Sequence, residues 1–389
     1  MKILHPIKTP ALLLSVVLLC ASLTANLAAQ ARPLWPGSHY TDQDRELALE
    51  RGLQFLGGIA DNSKYFAKWG HDLIWCFYTI SASARSEKVR AMALKMGQEH
   101  ARQWRHDHPE PPTKDPDELF NFVSGEKSAD ALLGDSDPAL QQRVREAASH
   151  FSAVDFLGFD PKIEPPPSDI PESCEGCTRR DARHTPCPKC TSKDFRSKYA
   201  VWLDALIVTY SGKLYGVPLG ATYEDVMRWI SVMRPYPSAS RIDEDHFDDI
   251  IYAITHVVYT LDDYEYYSLS PQSLPQEHDY LKRNFRRAMH KYGDGEILGE
   301  FLDTLRAFGH DESEPDMRAA IEYLLAHQNP DGSWGDADEE DVYTRYHATW
   351  TAIDGLREYA FHGERKEFPG SIVNANGEKI LPLTTLIGK

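Results

Sequence analysis

The chain has 389 residues and carries 59 Asp and Glu against 42 Lys and Arg, a formal net charge of −17. So large an acidic excess disfavours nucleic acid and anionic membrane surfaces as partners, because both select basic proteins. The length suits one large domain or two ordinary ones.

The N-terminus reads as a secretory leader over residues 1–31. Lys2 and Lys8 give a positive start, Ala11 to Ala21 is apolar, and Ala29-Gln30-Ala31 is a small-x-small cleavage site. The expected product is therefore exported, periplasmic or secreted. The apolar core is short for a membrane span, and no later segment reads as one.

Helical periodicity dominates the rest, with no sustained strand-like alternation. Six helical pairs are expected. Their first members lie near 43–58, 88–105, 138–150, 222–233, 277–291 and 314–327. Their second members begin near His71, Asp117, Lys198, Asp245, Gly295 and Val342. Hairpins of this number and length suit an all-α fold, an (α/α)6 toroid spanning 32–363. A Pro-rich loop at 106–116 and a long insertion at 160–196 interrupt it, and a tail at 364–389 is expected to pack across the outside.

The insertion carries Cys174-x-x-Cys177 and Cys187-Pro188-Lys189-Cys190, nine residues apart. Two such knuckles bring four thiolates around one ion, and a structural zinc site is the default. Iron on the same ligands and two disulfides are the alternatives, the latter permitted by export. Cys76 lies among apolar residues and reads as a packing residue.

The segment from Asp245 to Asp263 offers the best candidate chemistry. At helical spacing Asp245, Asp249, Tyr252, His256, Tyr259 and Asp263 share one face, and Phe247, Ile250, Ile251, Ile254, Val257, Val258 and Leu261 fill the other. Asp, Tyr and His in place of Lys, Glu and Arg suit a polar cavity wall. A hydrogen-bonded buried histidine is the plainer reading of His256. His71 with Asp72, and His347 with Asp354, sit on other second-member helices. Glu296, Glu300 and Asp303 make an acidic stripe, open to reading as cavity wall or solvated surface.

The stretch Gln328-Asn329-Pro330-Asp331-Gly332-Ser333-Trp334-Gly335 resembles the Gln-Trp repeat of squalene–hopene cyclases. The stretch Tyr346-His347-Ala348-Thr349-Trp350-Thr351-Ala352-Ile353-Asp354-Gly355-Leu356 resembles the segment bearing the zinc-binding histidine in protein prenyltransferase β subunits. The resemblance implies a toroid in which inner-helix N-termini surround a cavity mouth, with Gln328 and Trp334 tying hairpins together. It does not carry either activity across. The Asp-x-Asp-Asp acid of the cyclases is absent, since Asp243-Glu244-Asp245-His246 and Thr260-Leu261-Asp262-Asp263 both fail it. The Asp-x-Cys zinc pair of the prenyltransferases is absent too.

The expected function is an exported metal-dependent enzyme acting on a lipophilic or ring-containing small molecule. His256 and His347, then His246 and His71, are the expected ligands of a cavity zinc or iron ion in addition to the structural zinc. Tyr252, Tyr259 and Asp249 are the expected catalytic groups. A polysaccharide lyase or glycoside hydrolase on the same toroid, with two carboxylates drawn from Asp249, Glu296 and Glu300, is the first alternative. A non-enzymatic binding domain is the second. Oligomeric state has no signal in the sequence.

Overall fold

The computed structural model describes residues 40–168, 170–171, 195–291, 295–365, 372–373 and 379–381. The leader of residues 1–31, the four insertion cysteines Cys174, Cys177, Cys187 and Cys190, and most of the tail lie outside the described residues.

Local chemistry starts the helices where the pattern places them. Helix α1 (Asp42–Ala60) opens on a capping box between Thr41 and Asp44. Helix α2 (Ser63–Ser83) is capped by Asn62 and breaks at Trp69 (φ −124°, ψ 15°), so its second stretch begins beside His71. Helix α3 (Glu87–Asp107) is capped by Ser86. Helix α4 (Pro116–Leu133) has Asp115 at its cap, Pro116 in its first turn and left-handed Gly134 at its end. The same Asp-Pro start opens α5 (Pro138–Ala148). A short α6 (Ala153–Leu157) precedes the insertion.

Ser197 caps α7 (Lys198–Tyr215). The expected helix at 222–233 is split into α8 (Tyr223–Met227) and α9 (Ile230–Met233). Then follow α10 (Glu244–Asp262), capped by Asp243, α11 (Pro275–Lys291), α12 (Gly295–Ala307), α13 (Pro315–Ala326) and α14 (Val342–Leu356), capped by Asp341. The described residues are thus all-α apart from three short strand pairs. These are β1 (Ile170–Pro171) with β2 (Phe195–Arg196), β3 (Ser268–Leu269) with β4 (Glu364–Arg365), and β5 (Ile372–Val373) with β6 (Lys379–Leu381). The first pair draws the two ends of the insertion together.

Helix α2 packs on α4, α4 on α7, α7 on α10, α10 on α12, α12 on α14, and α14 returns to α2. These six bury residues on several sides, charged and polar ones such as Glu126, Lys127, Glu300, Asp303 and Asp354 among them. Helices α1, α3, α5, α11 and α13 pack against them and carry the charged faces.

The closest crossing joins α12 and α14. A Cβ at Gly299 would lie 2.2 Å from the carbonyl oxygen of Thr351, and one at Gly355 would lie 2.8 Å from the Gly299 Cα. Only two glycines facing each other allow the backbones to meet. The Gln-Trp stretch ties the chain's last hairpin to its first. Gln328 Nε2 donates to Ala48 O on α1 at 2.8 Å and to Gly332 O at 3.0 Å. Trp334, fully buried, donates from Nε1 to Leu324 O at 2.8 Å and packs under Gly52 and Gly295.

Gly299→Ala forces the two helices apart and is expected to destabilise the protein by about 1–3 kcal/mol or more, as overpacking does. Gly58→Ala, on α1 with nothing within 4 Å of the new Cβ, is expected to stabilise by about 0.4–1 kcal/mol. Urea unfolding of the two variants checks both signs.

Candidate active site

One cavity of about 260 Å³ takes side chains from all six helices of the closed packing sequence. Trp69, His71, Asp72 and Trp75 come from α2, Phe120 and Ser124 from α4, and Ile207 and Ser211 from α7. His256 and Tyr259 come from α10, Glu300 and Asp303 from α12, and Tyr343, His347, Trp350, Thr351 and Asp354 from α14. Tyr264 and Glu265, just past α10, complete the lining. A cleft of about 360 Å³ lies elsewhere, between the start of α1 and the ends of α2 and α14, and carries none of these groups but their neighbour Arg357.

His347 stands among three carboxylates. Its Nδ1 is 3.1 Å from Glu296 Oε1, to which the Tyr252 hydroxyl also donates. Burial alone would lower the His347 pKa. The bond and charge of Glu296, with the charges of Glu300 and Asp72, raise it instead to about 9. The ring is therefore an imidazolium at neutral pH. Burial would raise the pKa of Glu296, but His347 and Tyr252 bring it below the ordinary carboxylate value.

One turn further along α12, burial pushes Glu300 up to about 7 against the lowering effect of hydrogen bonds and of His347. Tyr259 donates to Glu300 Oε2 at 3.1 Å. Two carboxyls one turn apart thus have their pKa values moved in opposite directions, the arrangement that separates an acid from a base. Asp72 faces the same imidazolium from α2 and accepts from Tyr346 at 2.7 Å.

His256 is held neutral. Burial lowers its pKa to about 4, and its Nδ1 is 2.9 Å from Tyr252 O, so that nitrogen carries the proton and donates. Burial also lowers His71.

The floor is built on Arg357, which is 1% exposed. Its guanidinium donates to Asp354 Oδ1 at 2.7 Å, to Glu265 Oε2 at 2.7 Å and to Ser83 Oγ at 2.6 Å. Asp303, bonded by Tyr359, is pushed well up by burial and by neighbouring Glu265 and Asp354. Asp263, Tyr264 and Glu265 all have positive φ (63°, 49° and 61°) without a glycine among them. Left-handed backbone costs each such residue of order 1–3 kcal/mol. The turn is held by Arg357 on Glu265 and by the Tyr210 hydroxyl on Asp263. It presents the Tyr264 ring to the cavity, 4.8 Å from Trp75 and 5.7 Å from Tyr259.

Of the residues expected from sequence, His71, His256, His347 and Tyr259 meet in this cavity. Tyr252 stands behind it on Glu296. His246 and Asp249 do not reach it. His246 is exposed in the first turn of α10, bonded to Asp243 at 2.7 Å, and Asp249 accepts from Ser197 at 2.7 Å. The polar stripe continues along the helix, but only its later turns reach the cavity. Of the acidic stripe on α12, Glu300 and Asp303 are buried cavity wall, and Glu296, outside the lining, bonds His347.

Among the described residues no group of three or more His, Cys, Asp or Glu is arranged to hold a metal ion. His347, the counterpart of the zinc-binding histidine in the segment it resembles, bonds Glu296 through Nδ1. Arg357, Glu265 and Tyr264 had no sequence signal as site residues. Trp69, Trp75 and Tyr343 are visible only as part of a general aromatic excess.

Comparison with protein-family models, with curated proteins and with solved structures gives no match.

The His347–Glu296 pair stabilises the fold between the ordinary carboxylate and histidine pKa values; the contribution is lost as pH rises through about 9 and again as pH falls through the lowered pKa of Glu296. NMR of the ring nitrogens is expected to show His347 titrating near 9 and falling toward the ordinary 6.5 in Glu296→Gln. An unchanged midpoint would remove the pair from the account.

Proposed function

We propose that the protein is a glycoside hydrolase working by general acid–base catalysis in the central cavity of an (α/α)6 toroid. The ring-wise packing of α2, α4, α7, α10, α12 and α14, each contributing to one cavity, supports the toroid. The reaction rests on one observation above the rest. Glu300 is a buried carboxylic acid whose pKa lies at about 7, in a cavity that also holds the Asp72 carboxylate.

Glu300 gives its proton to the leaving glycosidic oxygen as the bond to the anomeric carbon breaks. Water adds to that carbon, and Asp72 takes the water's proton. The His347 imidazolium, which feels the charge of both, offsets negative charge on whichever carboxyl is ionised. Trp69, Trp75, Tyr264 and Trp350 give flat apolar faces for a sugar ring, and the carboxyls give acceptors for its hydroxyls. The proposed steps use only the cavity's own side chains. The ring-containing substrate expected from sequence is kept. Export rests on the leader pattern of residues 1–31, and a structural zinc on Cys174, Cys177, Cys187 and Cys190.

The test is release of reducing ends from aryl glycosides and neutral polysaccharides, with and without a chelator. Activity is expected to survive chelation and to fall as pH rises through about 7, where Glu300 loses its proton. Glu300→Gln is expected to lower kcat/KM by about 10²–10⁴, the usual contribution of a general acid. Full activity in Glu300→Gln, or no hydrolysis of any glycoside, would contradict the proposal. Activity abolished by the chelator would return the cavity to metal chemistry.

A further inference from the structure

The shape of the cavity says how a substrate enters it. Its mouth lies at the starts of the inner helices, where Phe120 is in the first turns of α4, Tyr343 is in the first turn of α14, and Trp69 marks the break in α2. Its far end is closed. Tyr264 and Glu265 cross it on the left-handed turn, and Asp303, Asp354 and the buried Arg357 lie beneath. Tyr343 and Asp354, both lining residues of α14, are separated by about 16 Å along a helix rising 1.5 Å per residue. The space is therefore a blind pocket, not a cleft open at both ends. Its volume of about 260 Å³ is just below the ~300–1,000 Å³ of sites for drug-sized ligands, which limits the fully buried part to a single sugar ring.

The rim differs from the walls. Tyr343 is 42% exposed, yet its ring stacks on His347 with centroids 5.2 Å apart and planes at 16°. Trp69 sits 6.0 Å from the ring of Tyr346, and the Lys68 ammonium lies 4.3 Å over its indole. An exposed ring held flat at the mouth is a platform for a second apolar face outside the pocket. The two cations at the wall are already paired, His347 with Glu296 and Arg357 with Glu265 and Asp354, so neither is left to hold a ring bearing its own carboxylate.

Resting on the hydrolase reading above, we infer that the protein acts from the end of a glycan chain. It buries one uncharged terminal ring, holds the next ring on Tyr343 at the rim, and releases a monosaccharide at each turnover. A chain interior cannot be threaded through a pocket closed by Arg357 and the Tyr264 turn.

The experiment uses neutral hexasaccharides (gluco-, manno- and xylo-) labelled at the reducing end, with products separated at early times. The expected result is monosaccharide from the first time point with the label moving one ring at a time, or monosaccharide carrying the label if the labelled end enters. Labelled products of middle length at early times would overturn the inference and leave the acid–base reading standing. No hydrolysis of any glycoside would overturn both. In Tyr343→Ala, kcat/KM is expected to fall at least tenfold more for the hexasaccharide than for an aryl monoglycoside. An equal fall for the two would remove the rim's role.

Discussion

The buried guanidinium of Arg357 is the interaction on which the rest of the structure depends. It joins the end of α2 through Ser83, the turn after α10 through Glu265, and the end of α14 through Asp354. Those three points lie where α14 packs back on α2 and where the cavity ends. Breaking a buried pair of this kind costs about 3–5 kcal/mol, because the remaining charges lose their compensation. Here one cation serves two carboxylates directly and lies over the ring of Tyr359, whose hydroxyl bonds Asp303. The same hub holds Glu265 in left-handed backbone, so the strain of the Tyr264 turn is sustained by the charge that closes the floor.

The chemistry of the cavity follows from what burial does to carboxyls at different depths. Glu296, near the mouth, has an imidazolium and a tyrosine hydroxyl for company and falls below its ordinary pKa. Glu300, one turn deeper, has weaker compensation and rises to about 7. Asp303 and Asp354 lie deeper still, and burial raises both. A gradient of solvation along one helix face thus sorts similar side chains into acid and base. It also explains why His347 and His256 behave oppositely. One has a carboxylate on its Nδ1, and the other has only a backbone carbonyl.

Much of the fold is legible in the sequence because helix starts are local. Asp115-Pro116, Asp137-Pro138, Ser197, Asp243 and Asp341 announce their helices within a few residues. The Gln-Trp stretch announces a tie between hairpins, and Gln328 makes that tie to Ala48. The site is legible only in part. His71, His256, His347 and Tyr259 stand out as polar groups on apolar helices, and they do meet. His246 and Asp249 fit the same spacing, but periodicity cannot say how far along α10 the cavity extends. The role of Arg357 was unreadable because two of its three partners are 92 and 274 residues away. The Tyr264 turn was unreadable because three left-handed residues without glycine go against local preference and are fixed by those distant contacts.

The most direct test of the account is the protonation of Glu300 itself. Carbon-detected NMR of side-chain carboxyls, with Glu300→Gln to assign the signal, would follow it from pH 4 to 9. The account predicts a midpoint near 7. A midpoint at the ordinary 4.5 would mean that Glu300 is no acid at neutral pH, and it would contradict the proposed chemistry whatever substrate is found.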